Sequence, residues 1–257
     1  MSFFDRALIV HTHLEKTAGT SLVEGLRRVF GEDALYDTRG RATLKPEAMT
    51  SSQRRAIKVL SGHFHFGSHE HMFQRYPVYV ACARDPYDRF CSFYHYTLAN
   101  ASHPGNEYYR GLSIGEAVEK AVADNKVAAT NYLCTYFSTR MLASAASAKR
   151  IIDKHYVCVA PHNRVNDLIA CFAETFNPAL KLKEEIRANV GKVATYSQEG
   201  RELFEKHNQE DIELYHFIQE NAERWITTFG GRLSRISRSP AWKSRRSRER
   251  RRAVMPA

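Results

Sequence analysis

The stretch Arg6-Ala7-Leu8-Ile9-Val10-His11-Thr12-His13-Leu14-Glu15-Lys16-Thr17-Ala18-Gly19-Thr20-Ser21 decides the fold. Its first half is a short apolar run, the signature of a strand buried on both faces. From Thr20 the period becomes helical, with Leu22, Leu26, Val29 and Phe30 on one face and Gly31 as the stop. The turn between them carries a lysine, a glycine and hydroxyl side chains. A strand that feeds a helix through a short turn is the opening of a βαβ unit.

The alternation continues along the chain. Ala56-Ile57-Lys58-Val59-Leu60 reads as a second strand that stops at Ser61-Gly62, Val78–Ala83 as a third and His155–Ala160 as a fourth. Asp85-Pro86 supplies a helix cap and a first helical residue. Residues 113–142, 163–176 and 209–229 carry helical patterns, and 36–55 reads as a surface loop with a short helix. The predicted fold is therefore α/β, three layers with a mostly parallel central sheet. Ligands of such sheets sit at the carboxyl ends of the strands, where three motifs of this chain fall.

A chain of 257 residues with 43% hydrophobic side chains can bury one large core. The run Ala7–Val10 is far below the ~20 apolar residues that a bilayer requires. The net charge of +10 is unevenly placed. Residues 232–257 hold nine Arg and one Lys against one Glu, and residues 1–231 hold 28 basic against 27 acidic side chains. The expected division is a nearly neutral domain over 1–231 and an Arg/Ser-rich disordered tail over 232–257. The overall basicity is thus no argument for a nucleic-acid-binding body. Cys82, Cys91, Cys134, Cys158 and Cys171 are odd in number and lack CxxC spacing, as expected of buried reduced thiols. Phe3-Phe4-Asp5-Arg6 puts charge where a signal peptide would be apolar, so a cytoplasmic setting is expected.

The first motif, His13–Ser21, joins strand to helix. A helix N-terminus offers unpaired N–H groups, Gly19 admits close approach, Thr20 and Ser21 add hydroxyls, and Lys16 adds a charge. That is an anion cradle, although the lysine precedes the glycine, unlike a Walker loop. Taken alone it reads equally well as an ordinary capped turn. The second motif is Ala83-Arg84-Asp85-Pro86-Tyr87-Asp88-Arg89-Phe90-Cys91-Ser92-Phe93-Tyr94. Arg84 ends a buried strand and Ser92 lies two helical turns on. The pair either holds a second phosphate or leaves Arg84 in a structural salt bridge with an aspartate.

Together the two motifs resemble the signature elements of the sulfotransferases that use 3′-phosphoadenosine-5′-phosphosulfate (PAPS). The resemblance implies a P-loop-like fold and sulfuryl transfer to an acceptor hydroxyl. It assigns Lys16, Thr17, Ala18, Gly19, Thr20 and Ser21 to the 5′-phosphosulfate, with Lys16 also catalytic. It assigns Arg84 and Ser92 to the 3′-phosphate. The wording is most similar to the carbohydrate branch, which includes the heparan sulfate 2-O- and 6-O-sulfotransferases and bacterial relatives. The likeness runs over roughly 5–230. Glu15 stands where many relatives have Pro and is expected to point outward. Asn189-Val190-Gly191-Lys192 resembles the late loop that closes over the nucleotide, with Gly191 in place of the usual Ser, and it adds Lys192 to the nucleotide set. Asn131-Tyr132 resembles a position near the acceptor pocket, with helix surface as the other reading. Asp211, Leu214 and Tyr215 match a family helix pattern and are read as packing.

The third motif is Ser61-Gly62-His63-Phe64-His65-Phe66-Gly67-Ser68-His69-Glu70-His71, with four histidines in nine residues. No cysteine is near and the chemistry requires no metal, so none is expected. An attacking hydroxyl must lose its proton, and histidine titrates in the useful range. His63 is the expected general base, and its Gly-His setting resembles that of the 2-O-sulfotransferases. His65 is the substitute base or a substrate contact, and His69 and His71 are read as solvated.

The implied co-substrate is PAPS, with 3′,5′-adenosine bisphosphate as product and a saccharide or glycolipid as acceptor. The rival enzyme is a P-loop nucleotide kinase or NTPase, which needs Mg²⁺, a Walker Lys-Ser/Thr pair and an acidic strand-end ligand. The rival of another class binds nucleic acid or an anionic surface through the tail. The tail also fits contact with an anionic membrane or polymer, and nucleic acid is the least favoured partner. With no N-terminal anchor in the sequence, the expected setting is a bacterial cytoplasm, with a membrane-peripheral position through the tail.

Overall fold

The structure is a computed structural model that describes residues 3–39, 48–67, 73, 75–138, 144–182, 184–186 and 196–237. Five strands make one sheet in the order β2-β3-β1-β4-β5. They are β1 (Ala7–Thr12), β2 (Leu35–Asp37), β3 (Val59–Gly62), β4 (Tyr76–Ala83) and β5 (Tyr156–Pro161). Every pairing is parallel. Every residue of β1 and β4 is buried, which is why these strands read as apolar runs rather than as alternations.

After β1 comes α1 (Gly19–Phe30), and α2 (Ser51–Ala56) precedes β3. Among the described residues five α-helices lie between β4 and β5: α3 (Pro86–Ala99), α4 (Gly105–Tyr109), α5 (Ile114–Ala123), α6 (Tyr132–Tyr136) and α7 (Ala145–His155). After β5 come α8 (Val165–Phe176), α9 (Gln198–His207), α10 (Gln209–Thr227) and α11 (Phe229–Ser237). From β1 the chain moves outward to β2, returns through β3, and crosses to β4 and β5 on the other side. Right-handed crossovers send these two arms to opposite faces of the sheet. The loops after β1 and β4 therefore diverge and open a crevice at their carboxyl ends. On one face α1 packs against α8, and Gly25 lets them approach, since a Cβ there would meet Ile169 Cδ1 at 2.5 Å. On β5, α10 packs together with α7. A second apolar cluster, centred on Tyr87, Phe90, Tyr109 and Phe204, fastens α3 to its neighbours.

Four departures from the sequence reading have physical causes. Residues 36–55 are not all surface, because Leu35–Asp37 is a buried edge strand in which Tyr36 packs on Phe73 at 5.7 Å. Three residues are too few to display a period. The second strand begins at Val59 rather than Ala56, because a capping box at Thr50 and Gln53 starts a helix that runs through Ala56. The helices α7 and α9 were not read at all, and each begins at a serine cap. The tail boundary moves as well, since α11 runs through to Ser237. Within it Arg232 is buried and donates from Nε to Val157 O at 2.9 Å and from Nη2 to Tyr156 O at 2.8 Å. This arginine is a clamp between α11 and β5, while 238–257 lie outside the described residues.

All five cysteines are buried and free, and burial pushes the Cys82 thiol up to about 12. Among the described residues no helix is long and apolar enough to cross a membrane.

Candidate active site at the strand ends

The loop after β1 is held in an unusual shape. Lys16 and Ala18 both adopt left-handed backbone, with φ of 65° and 66°. Buried Thr17 donates its hydroxyl to Leu14 O at 2.9 Å, and Glu15 N donates to Tyr132 Oη at 3.0 Å. The hydroxyl of Thr17 is thereby engaged in the turn itself. Ala18 stands at the N-cap of α1 and has no side chain that could cap it. The first N–H groups of α1 keep their capacity for an anion, with the positive end of the dipole behind them.

Gly19 serves a second purpose that the sequence did not reveal. A Cβ at this position would sit 2.3 Å from His13 Cδ2 and Nε2. The room that glycine leaves is filled by an imidazole. His13 is the middle of a row: its ring stacks on His11 at 5.0 Å and leans on His63 at 4.7 Å. His11 and His13 are buried, and His11 Nε2 and His13 Nδ1 have no hydrogen-bond partner. Burial, chiefly, pushes His11 down to about 3 and His13 well below the histidine range, so both rings are neutral.

His63 lies just past β3, exposed, with Nδ1 2.7 Å from the His13 carbonyl oxygen. A carbonyl can only accept, so Nδ1 carries the hydrogen and the neutral ring keeps its lone pair on Nε2. His65 is held elsewhere. It donates from Nδ1 to Thr135 O at 3.0 Å and stacks on Tyr136 at 4.7 Å, both on α6. The two histidines are thus separated, one against the β1 loop and one against α6.

Lys16 connects the first motif to the second. Its Nζ lies 4.3 Å from the centre of the Tyr96 ring, one turn beyond Ser92 on α3. Burial, and then the charge of Arg84, pull its pKa below the ordinary lysine value. Arg84 Nε is buried and unpartnered. The carboxylates that a structural salt bridge would use are occupied otherwise. Asp85 caps α3 by accepting from Asp88 N at 2.9 Å, and Asp88 pairs with Arg201 at 2.8 Å. Among the described residues Arg84 has no ion pair, and the half-buried Ser92 hydroxyl has no hydrogen bond.

Sequence reasoning missed His162. Ala83 and Pro161 are register partners at the ends of adjacent strands, so Arg84 and His162 are the first residues past those ends. His162 Nδ1 is buried without a partner, and burial followed by the Arg84 charge pushes the ring down to about 4. The available signal was its place directly after a buried strand, the same signal that singled out Arg84. Arg39, just past β2, also reaches the site and was not read.

The brace of the β1 loop comes from far along the chain. Tyr132 is buried, so Asn131-Tyr132 is not plain helix surface; Arg89 stacks its guanidinium on the Tyr132 ring at 4.0 Å. Asp211 on α10 accepts from Leu133 N at 2.8 Å and Cys134 N at 2.9 Å, and Asn208 Oδ1 accepts from Asn131 N at 2.8 Å. Lys192, with Asn189 and Gly191, and also His69 and His71, lie outside the described residues. Among the described residues no group of three or more His, Cys, Asp or Glu could hold a metal ion.

Comparison with known families gives one match. A model described as the sulfotransferase family covers residues 1–138, the span of β1 to β4, both histidines, Arg84, Ser92 and Asn131. No curated protein matches the chain.

Proposed function

The chain belongs to the sulfotransferase family, and from that premise we propose that it moves a sulfuryl group from PAPS to a hydroxyl of a saccharide or glycolipid. The observation that carries this reading is a pair of strand-end sites whose cations have no ion pair among the described residues. One is the turn of Lys16 and the uncapped start of α1, and the other is Arg84 beside Ser92. The reach of Lys16 to Tyr96, one turn beyond Ser92 on α3, supports a single crevice for both.

PAPS supplies the sulfuryl group and a phosphate leaving group. Nε2 of His63 takes the proton of the acceptor hydroxyl as its oxygen bonds to sulfur. Lys16 and the N–H groups of Gly19, Thr20 and Ser21 meet the charge on the phosphate oxygen that departs with the bonding pair. The His63 Nδ1–H bond to the His13 carbonyl strengthens as the imidazolium forms. Arg84 and Ser92 hold the 3′-phosphate and fix the register of the nucleotide, Ala18 and Lys192 complete the nucleotide set, and Thr17 serves it by shaping the turn through its bond to Leu14 O. His65 and Asn131 face the acceptor, a placement supported by their shared attachment to α6. The basic residues beyond Ser237 serve contact with an anionic membrane or polymer and place the enzyme at a membrane periphery in the cytoplasm.

The test is calorimetric titration with 3′,5′-adenosine bisphosphate without metal, beside ATP with and without Mg²⁺. Arg84→Ala is expected to weaken bisphosphate binding by ~10–100-fold, the worth of a charge-assisted contact. Preference for ATP with Mg²⁺ over the bisphosphate would replace the proposal by the kinase reading.

A further inference from the structure

Resting on the sulfuryl-transfer reading, we propose that Arg39 is a further catalytic residue, binding the oxygens of the sulfuryl group while it passes from donor to acceptor. Arg39 lies two residues past β2, at the same sheet edge as the β1 loop. Its guanidinium is gripped along one side by Asp37: Nε donates to Oδ1 at 2.9 Å and Nη2 to Oδ2 at 2.6 Å. The Arg39 backbone N–H adds a third bond to Oδ1 at 3.1 Å. Asp37 is buried at the end of β2. Burial pushes its carboxyl up, but the hydrogen bonds from Arg39 outweigh that and hold it below the ordinary carboxylate value. The pair is ionised and rigid.

This grip leaves Nη1 as the outward end of the fork. Nη1 points at the first turn of α1, 3.5 Å from Thr20 Oγ1 and 3.5 Å from His13 Nε2. Both distances are at the outer edge of hydrogen bonding, so its donors keep capacity for a better acceptor. On its other side the His13 ring touches His63. Nη1 therefore meets the first turn of α1 on one side and, through the His13 ring, the base on the other, next to the turn where the transferred group leaves the phosphate. A planar fork aimed beforehand by a buried carboxylate meets charge without having to reorder. A lysine at this position would lack the two-point grip.

The bisphosphate product lacks the sulfuryl group, and this separates the roles of Arg39 and Arg84. In Arg39→Ala, bisphosphate affinity is expected within about twofold of wild type, PAPS affinity about tenfold weaker, and turnover on a saccharide alcohol ~10²–10³-fold lower. Arg39→Lys should recover part of the loss. Asp37→Asn, which loosens the guanidinium, should lower turnover with bisphosphate affinity kept. Equal weakening of both ligands, or unchanged PAPS affinity and turnover, overturns the proposal. Failure of the underlying reading looks different, because wild-type protein would then bind neither ligand, and the proposal would fall with it.

Discussion

Replacing His63 by alanine is expected to lower sulfuryl transfer ~10²–10⁴-fold while leaving affinity for 3′,5′-adenosine bisphosphate within about twofold. The separation follows from how the ring is held. Its Nδ1 is tied to the carbonyl of His13, outside the turn proposed to take the phosphate, and the ring is exposed. Removing the side chain takes away the proposed proton acceptor and leaves Lys16 and α1 in place. The orienting partner is a neutral carbonyl rather than a carboxylate, so the nascent imidazolium has hydrogen-bond support without an opposite charge. His65→Ala is the matched control. That ring is anchored on α6, and its loss is expected to cost less than tenfold in turnover and to act on the acceptor KM. Large loss in His65→Ala with near-normal His63→Ala would exchange the two roles.

Acidification is expected to cost roughly 4 kcal/mol of stability over the two pH units below 6.5, through His11 and His13 alone. In an unfolded chain both rings titrate near 6.5. In the folded protein, burial pushes His11 down to about 3 and His13 further below the histidine range. Below 6.5 the unfolded state therefore binds more protons than the folded one. The contribution is fully present above pH 6.5 and is lost as pH falls toward the folded values, at roughly 1 kcal/mol per pH unit for each ring. Denaturant titrations at pH 6.5 and pH 4.5 measure it, and His11→Asn should remove about half of the slope. A variant slope equal to that of wild type would show that these rings take up protons without unfolding.

Long apolar strands and signals packed into adjacent residues were legible in the sequence. β1, β4 and β5 announced themselves as apolar runs, and Asp85-Pro86 marked the start of α3. The turn of Lys16 to Ser21 and the spacing of Arg84 and Ser92 were local too, and they pointed to the family. What escaped was decided by contacts between distant segments. β2 is a strand because β3 pairs with it, and Arg232 is buried because β5 offers it carbonyls. Arg39 enters the site only because β2 ends beside α1, and His162 only because β5 ends beside β4. The row of His11, His13 and His63 joins the end of β1 and its loop to a residue fifty positions from His13, which no local pattern encodes.

The brace from α10 through α6 to the β1 loop has a consequence for how the protein opens. Residues 1–138 carry nearly every residue of the candidate site, yet the amide of Glu15 is held by Tyr132, whose helix is held in turn by Asn208 and Asp211. The loop after β1 is thus locked by the last third of the chain. Its amides should not exchange with solvent deuterium through local fraying, as surface loops do. Native-state hydrogen exchange at Glu15 is expected to report the free energy of global unfolding, the same value as the amides of β1, and a fragment ending at residue 138 is expected to lose that protection altogether.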